Sequence, residues 1–214
     1  MEIKTIIFDL GGVVLDIDPQ LSINEFKKLG LKDESLFKNP DFVKNVIRKF
    51  EKGILTPEVF RNKIREYTGL DLTDHQIDDA WNALLYDIPA ERIRVLEEVK
   101  KNYKILLFSN SNEIHYDLYV RDLQLRFGYM EFDKLFDKAY FSFDLHLSKP
   151  DVEGFEYIMY QNKLVPEETL FIDDLEANIN AAKSLGWKTY RMVPPERVRD
   201  IFTDGKLNPG LNIE

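Results

Sequence analysis

The chain has 214 residues, 44% of them hydrophobic, and a formal net charge of −9. That length and apolar content suit one sizeable core plus a smaller appendage. The acidic balance disfavours a DNA or RNA partner, and the absence of cysteine excludes disulfides and thiolate metal sites.

The first predicted strand, about residues 3–9, carries the apolar run Ile6-Ile7-Phe8 and ends in Asp9. An acidic residue is costly inside a buried strand, so Asp9 is expected where the strand emerges into a turn. Leu10-Gly11-Gly12-Val13-Val14 follows, and its two glycines permit a tight turn and close approach of the backbone to a ligand. Taken alone, this is also an ordinary strand-to-helix turn with an acidic cap. No strand is convincing over about residues 17–87. Instead Phe42, Val43, Val46, Ile47 and Phe50 repeat at helical spacing, and Thr56-Pro57 opens a helix with Phe60, Ile64 and Tyr67 on one face. Thr73 to Gln76 has capping-box spacing ahead of Ile77, Ala80, Trp81, Leu84 and Leu85. Residues 17–87 are therefore expected to form a small helical cap, inserted into a core of residues 1–16 and 88–214 and able to sit over Asp9.

Further on, helical patterns at Glu91–Lys101, Asp151–Lys163 and Glu176–Leu185 alternate with apolar runs at about 104–109, 137–142, 169–173 and 188–192. Several runs are almost continuously apolar, as in Ile105-Leu106-Leu107-Phe108, which suits parallel strands covered on both faces. The expected fold is α/β: a doubly wound, parallel, five-stranded Rossmann-like sheet. A short helix, Pro195 to Phe202, and a Gly/Pro-containing tail complete the chain. No apolar run approaches the roughly 20 residues of a membrane span. The N-terminus enters Ile3-Lys4-Thr5-Ile6 without an apolar leader, so a cytoplasmic location and no membrane partner are expected.

In such a sheet, ligands bind at the carboxyl ends of the strands. Those ends carry Asp9, then Ser109-Asn110, then Lys149 in the loop after the third strand, then Asp173-Asp174. Individually these could be helix caps and a solvated lysine. Together they gather a hydroxyl, a lysine and three carboxylates on one rim. Carboxylates about 4 Å apart repel by roughly 4 kcal/mol per pair at an effective dielectric near 20. A hard divalent cation removes that repulsion, and oxygen-only ligands favour Mg²⁺.

Asp9-Leu10-Gly11-Gly12-Val13, Ser109-Asn110, Lys149-Pro150 and Asp173-Asp174 resemble the four ordered motifs of the haloacid dehalogenase-like hydrolase superfamily. Within it, Phe8 to Asp16 and Leu107 to Asn112 are most similar to bacterial phosphatases acting on α-D-glucose 1-phosphate. The resemblance implies that Asp9 is a nucleophile forming an aspartyl-phosphate. It implies Mg²⁺ held by Asp9, the Gly11 carbonyl, Asp173 and Asp174, with Asp174 the preferred direct ligand of the acidic pair. Ser109 and the Asn110 backbone N–H would bind phosphoryl oxygens, with Asn112 and His115 nearby as substrate-binding candidates, and Lys149 would offset developing charge. The implied partner is a small phosphorylated metabolite.

One departure is the residue two positions after Asp9. Most phosphatases of the superfamily carry a second Asp there as general acid/base; here it is Gly11. General acid catalysis contributes about 10²–10⁴-fold, so its loss favours substrates with good leaving oxygens, such as sugar 1-phosphates. His115 is a candidate replacement. Competing readings are a metal-free 2-haloacid dehalogenase, which has little use for the acidic pair, and a phosphate-binding signalling or interaction protein without turnover. Signalling receiver domains place their acidic pair on the first strand, the reverse of this chain.

Overall fold

The computed structural model describes residues 2–214. Five strands, β1 (Thr5–Phe8), β2 (Lys104–Ser109), β3 (Lys138–Phe141), β4 (Thr169–Asp173) and β5 (Lys188–Arg191), form one sheet in the order β3-β2-β1-β4-β5. Every neighbouring pair is parallel; Ile7 of β1, for example, faces Leu106 on one side and Phe171 on the other. This is the doubly wound sheet expected from the alternation of strands and helices.

The continuous apolar runs follow from the two-residue period of a strand. Ile6, Phe8, Ile105, Leu107, Leu170 and Ile172 point into one core, together with Leu96 and Val99 of the helix Ala90–Lys100. The intervening Ile7, Leu106, Phe108 and Phe171 point into the opposite core, with Phe155, Ile158 and Trp187. With both faces covered, the inner positions of β1, β2 and β4 are apolar. Only the ends are free to carry chemistry.

Between β1 and β2 lie the helices Pro19–Lys28, Pro57–Thr68 and Asp74–Asn82. A further helical run reaches from Pro40 to Glu51, with a π-helical middle at Val43–Ile47. Thr73 and Gln76 make the reciprocal capping box that their spacing predicts. Phe26, Phe42, Val46, Phe50, Phe60, Ile64, Ile77 and Trp81 build a separate apolar cluster, which Ile114 of the helix Glu113–Phe127 joins. Tyr67 stays at its edge, exposed, with its hydroxyl donating to Asp41 Oδ2 at 2.9 Å. The two connecting segments run side by side, with the Asp18 amide donating to the Leu84 carbonyl at 2.8 Å and that of Tyr86 to Asp16 at 3.2 Å.

The expected terminal helix is shorter than its pattern. A single 3-10 turn, Val198–Ile201, leads into a two-stranded ribbon of Phe202–Thr203 and Lys206–Leu207. Ile201 and Phe202 pack on the main core, so tertiary contact extends the backbone at Phe202 where local spacing allowed helix. No helix among the described residues is long and apolar enough to cross a membrane.

Candidate active site

Asp9 follows β1 directly and is 7% exposed. Its amide continues the sheet by donating to the Ile172 carbonyl at 2.9 Å. Beyond it the chain reverses: the amides of Val13, Val14 and Leu15 all converge on the Leu10 carbonyl. The Gly11 carbonyl takes no part in those hydrogen bonds. Gly12 has φ +80°, and a Cβ there would stand 2.6 Å from Asp174 Oδ2. The second glycine thus gives both the left-handed backbone and the room that brings Asp174 against the turn.

Lys149 is buried between two carboxylates. Its Nζ lies 2.7 Å from Asp9 Oδ1 and 2.7 Å from Asp173 Oδ2, with the Phe108 and Phe171 rings each 5.5 Å away. Burial pushes the ammonium down, but the charges of Asp173 and Asp9 outweigh it and hold its pKa above the ordinary lysine value. Asp9 is driven the other way. Burial pushes its carboxyl up to about 7, with Lys149 opposing and the Asp173 charge adding. Asp174, half-buried, is also raised, by burial first and then by Asp173.

One oxygen from each of Asp9, Asp173 and Asp174 can be chosen so that all three lie within 4.8 Å of one another. Three carboxylates against the one Lys149 ammonium leave a formal −2. The donor set is all oxygen and the uncompensated charge equals that of a divalent cation, so the residues suit a hard dication. Among the described residues, no other group of His, Asp or Glu has this geometry.

The acidic pair divides its work. Asp173 Oδ1 accepts from the Leu175 amide at 2.8 Å, and both its oxygens accept from Asn178 Nδ2 at 3.0 Å, in addition to the Lys149 contact. Among the described residues, no side chain donates to the Asp174 carboxylate, although its backbone carbonyl accepts from Arg191 Nε at 3.1 Å. Asn178 escaped the sequence reading; its only signal there is its place in the first turn and a half of the helix Glu176–Ser184, five residues after Asp173.

Ser109 ends β2 and is 3% exposed. The Asn110 side chain has a different task from the phosphate contact expected of its backbone: Oδ1 accepts from the Lys149 amide at 2.9 Å and Nδ2 donates to the Lys149 carbonyl at 2.8 Å. This amide clamp fixes the loop that delivers the lysine.

Asn112 and His115, the substrate-binding candidates, are both buried and hydrogen-bonded within the protein. Asn112 caps the helix Glu113–Phe127, its Oδ1 accepting from the His115 amide at 3.1 Å and from Trp81 Nε1 at 3.4 Å. His115 stacks on Trp81, with centroids 5.2 Å apart and planes 7° from parallel, and its Nδ1 lies 2.8 Å from Asn82 Oδ1. Burial pushes its pKa down to about 3. The imidazole is therefore neutral, and with Asn82 accepting from Nδ1 its proton is already engaged. His115 thus joins the core helix to the insertion through Trp81 and Asn82. Among the described residues, Asn112 Nδ2 is buried without a hydrogen-bond partner.

The chain is similar in sequence and in fold to known proteins. The family model for haloacid dehalogenase-like hydrolases matches residues 3–186. A D-ribitol-5-phosphate phosphatase of Bacteroides thetaiotaomicron is 29% identical over 189 residues, covering 88% of this chain and 91% of that protein. The structure of a HAD family enzyme from the same organism, in complex with magnesium and inorganic phosphate, superposes with a TM-score of 0.85 at 34% identity, covering 94% of this chain and all of that one. The L-2-haloacid dehalogenase of Xanthobacter autotrophicus, at 18% identity and a TM-score of 0.59 over 88% of this chain and 77% of its own, shares the fold alone. The chain belongs to the haloacid dehalogenase-like hydrolase family.

Proposed function

We propose that this protein is a Mg²⁺-dependent phosphatase that hydrolyses small sugar or polyol phosphates through an aspartyl-phosphate on Asp9. The observation that carries the reading is the buried cluster in which Lys149 bridges Asp9 and Asp173 while Asp174 stands free beside them. Asp9 Oδ1 is held by Lys149 and by the Leu10 amide at 2.7 Å, which leaves Oδ2 as the oxygen to attack phosphorus. Ser109 and the Asn110 backbone N–H bind the phosphoryl oxygens, and Lys149 offsets the charge that builds on them.

Mg²⁺ would be held by Asp9, Asp174 and the Gly11 carbonyl. Asp173, with its oxygens already committed to Lys149, Leu175 and Asn178, acts chiefly by orienting the lysine. The bound metal supplies positive charge to a phosphate dianion that three carboxylates would otherwise repel. The magnesium- and phosphate-bound relative supports this choice of ion, and the ribitol 5-phosphate phosphatase supports a hydroxylated small-molecule ester. An acidic pair retained on the rim supports phosphatase chemistry over metal-free dehalogenation.

Residues 17–87 serve as a lid over a core of residues 1–16 and 88–214, and a lid over the nucleophile selects small substrates. A preference for sugar 1-phosphates follows from Gly11 where nothing replaces the missing acid. The test is phosphate release from glucose 1-phosphate, glucose 6-phosphate and ribitol 5-phosphate, with Mg²⁺ or with chelator. Turnover is expected with Mg²⁺ and absent in Asp9→Asn. Undiminished release by Asp9→Asn would refute the mechanism, and undiminished release in chelator the metal requirement.

A further inference from the structure

The phosphatase reading leaves the proton for the leaving oxygen without a source, since Gly11 has no side chain and His115 is neutral. A replacement must be a carboxylic acid that is sheltered, uncommitted to another partner and near the phosphate-binding loop. Glu51 meets these conditions. It ends the helical run of the insertion, immediately before a turn pressed onto the core. There Gly53 has φ +64° and sits so close to the chain at Phe143 that a Cβ would overlap its carbonyl oxygen at 2.1 Å. Lys52 pairs with Asp151 at 2.6 Å, and the Lys52 carbonyl meets His146 Nδ1 at 2.8 Å.

The Glu51 backbone is one hydroxyl away from the loop that follows β2. Ser142 Oγ donates to the Glu51 carbonyl at 2.5 Å and accepts from the Ser111 amide at 3.0 Å, two residues beyond Ser109. Among the described residues, the Glu51 carboxyl has no hydrogen bond and no ion pair of its own. It lies within electrostatic reach of the buried Tyr119, whose hydroxyl feels the charges of both Asp9 and Glu51. Arg48, three residues earlier, is the cation that acts on it, and burial outweighs that charge to push the carboxyl up to about 7. Among the described residues, the buried Asn112 Nδ2 of the same loop has no hydrogen-bond partner.

We propose that Glu51, delivered by the insertion, is the general acid and base that strand β1 lacks. As Asp9 Oδ2 bonds to phosphorus, the bond to the leaving oxygen breaks and its electron pair takes the Glu51 proton, releasing the alcohol. The resulting Glu51 carboxylate then accepts a proton from the water that attacks the aspartyl-phosphate, which frees Asp9 and inorganic phosphate. This inference rests on the phosphatase reading, and it makes unactivated alkyl phosphates accessible despite Gly11. It also couples proton supply to docking of the insertion.

The test compares wild type, Glu51→Gln and Glu51→Asp with ribitol 5-phosphate and with 4-nitrophenyl phosphate. The first leaves as an alkoxide that needs a proton; the second leaves as a stable phenolate. For Glu51→Gln we expect kcat with ribitol 5-phosphate to fall about 10²–10³-fold. With the aryl ester it should release one equivalent of nitrophenolate at the wild-type rate and then stall, because only the water step still needs the base. Glu51→Asp should recover part of the alkyl activity, with Mg²⁺ affinity unchanged in both variants. Equal losses on both esters without a burst, or no loss on either, would overturn the role of Glu51 and leave the phosphatase reading standing. Wild type inert towards both esters would instead overturn that reading and this inference with it.

Discussion

Replacing Lys149 with methionine tests the electrostatic logic of the site most directly. Methionine keeps the unbranched apolar stem but loses the charge, and with it the Nζ contacts to the Phe108 and Phe171 rings. Each 2.7 Å contact to Asp9 and Asp173 corresponds to roughly 6 kcal/mol of gross attraction at an effective dielectric near 20. Desolvation of the lysine cancels much of it, and a broken buried pair typically costs about 3–5 kcal/mol net. Without the lysine, the Asp9 carboxyl rises further, so the folded state holds a proton that the unfolded chain has released. A folded pKa raised above the unfolded 3.8 means stability is fully present below about pH 4 and is lost as pH rises through about 7 and beyond. In chelator, Lys149→Met should therefore unfold about 10 °C below wild type at pH 8. The gap should narrow at pH 5 and close partly when Mg²⁺ is added. Thermal unfolding by circular dichroism measures all three. A gap that is the same at both pH values and indifferent to Mg²⁺ would refute the claim that carboxylate repulsion is what Lys149 relieves.

The clamp on the lysine loop makes a separate prediction: Asn110→Ala leaves the Lys149 amide and carbonyl unpaired, costing about 2 kcal/mol in urea unfolding, and lowering kcat more than it raises KM. In Gly12→Ala the new Cβ collides with Asp174, and Mg²⁺ affinity by calorimetry should fall at least about tenfold. Removing the Asp173 partner in Asn178→Leu should lower kcat while Mg²⁺ binding is nearly retained, because Asp173 orients Lys149; a proportional loss of metal would place Asp173 in the coordination sphere instead. His115 is neutral when folded and ionises near 6.5 when unfolded, so its contribution to stability is full above about pH 6.5. Below that it declines by up to roughly 1.4 kcal/mol per pH unit as pH falls towards 3. His115→Phe should flatten the acid limb of a stability-pH curve and leave the pH profile of kcat unmoved.

The elements of the sheet were legible because their physics is local. A strand buried on both faces must be apolar throughout, and β2 and β4 were bounded to the residue by where that run stops. The same constraint located Asp9, Ser109 and Asp173, since polar groups can survive only at strand ends. Asp174 followed as the chain neighbour of Asp173, and Lys149 from its place in the loop after the third strand. Periodicity could not assign partners where one side chain can satisfy two demands. Asn112 and His115 have the composition of substrate ligands, yet Trp81 and Asn82 occupy them. Pro195 to Phe202 has helical spacing, but packing at Phe202 draws it into a ribbon.

By itself the amino-acid order determined the α/β architecture and which polar groups stand at the ends of the strands. Only the tertiary structure decided their partners: Asn110 on Lys149 across 39 residues, Asn178 on Asp173, and Glu51 brought by way of Ser142 to the loop after β2. The reason is that periodicity reports which face of an element is buried, whereas a hydrogen bond between distant segments depends on how those elements are docked. Charge compensation in the site is of that second kind, and no run of residues encodes it locally.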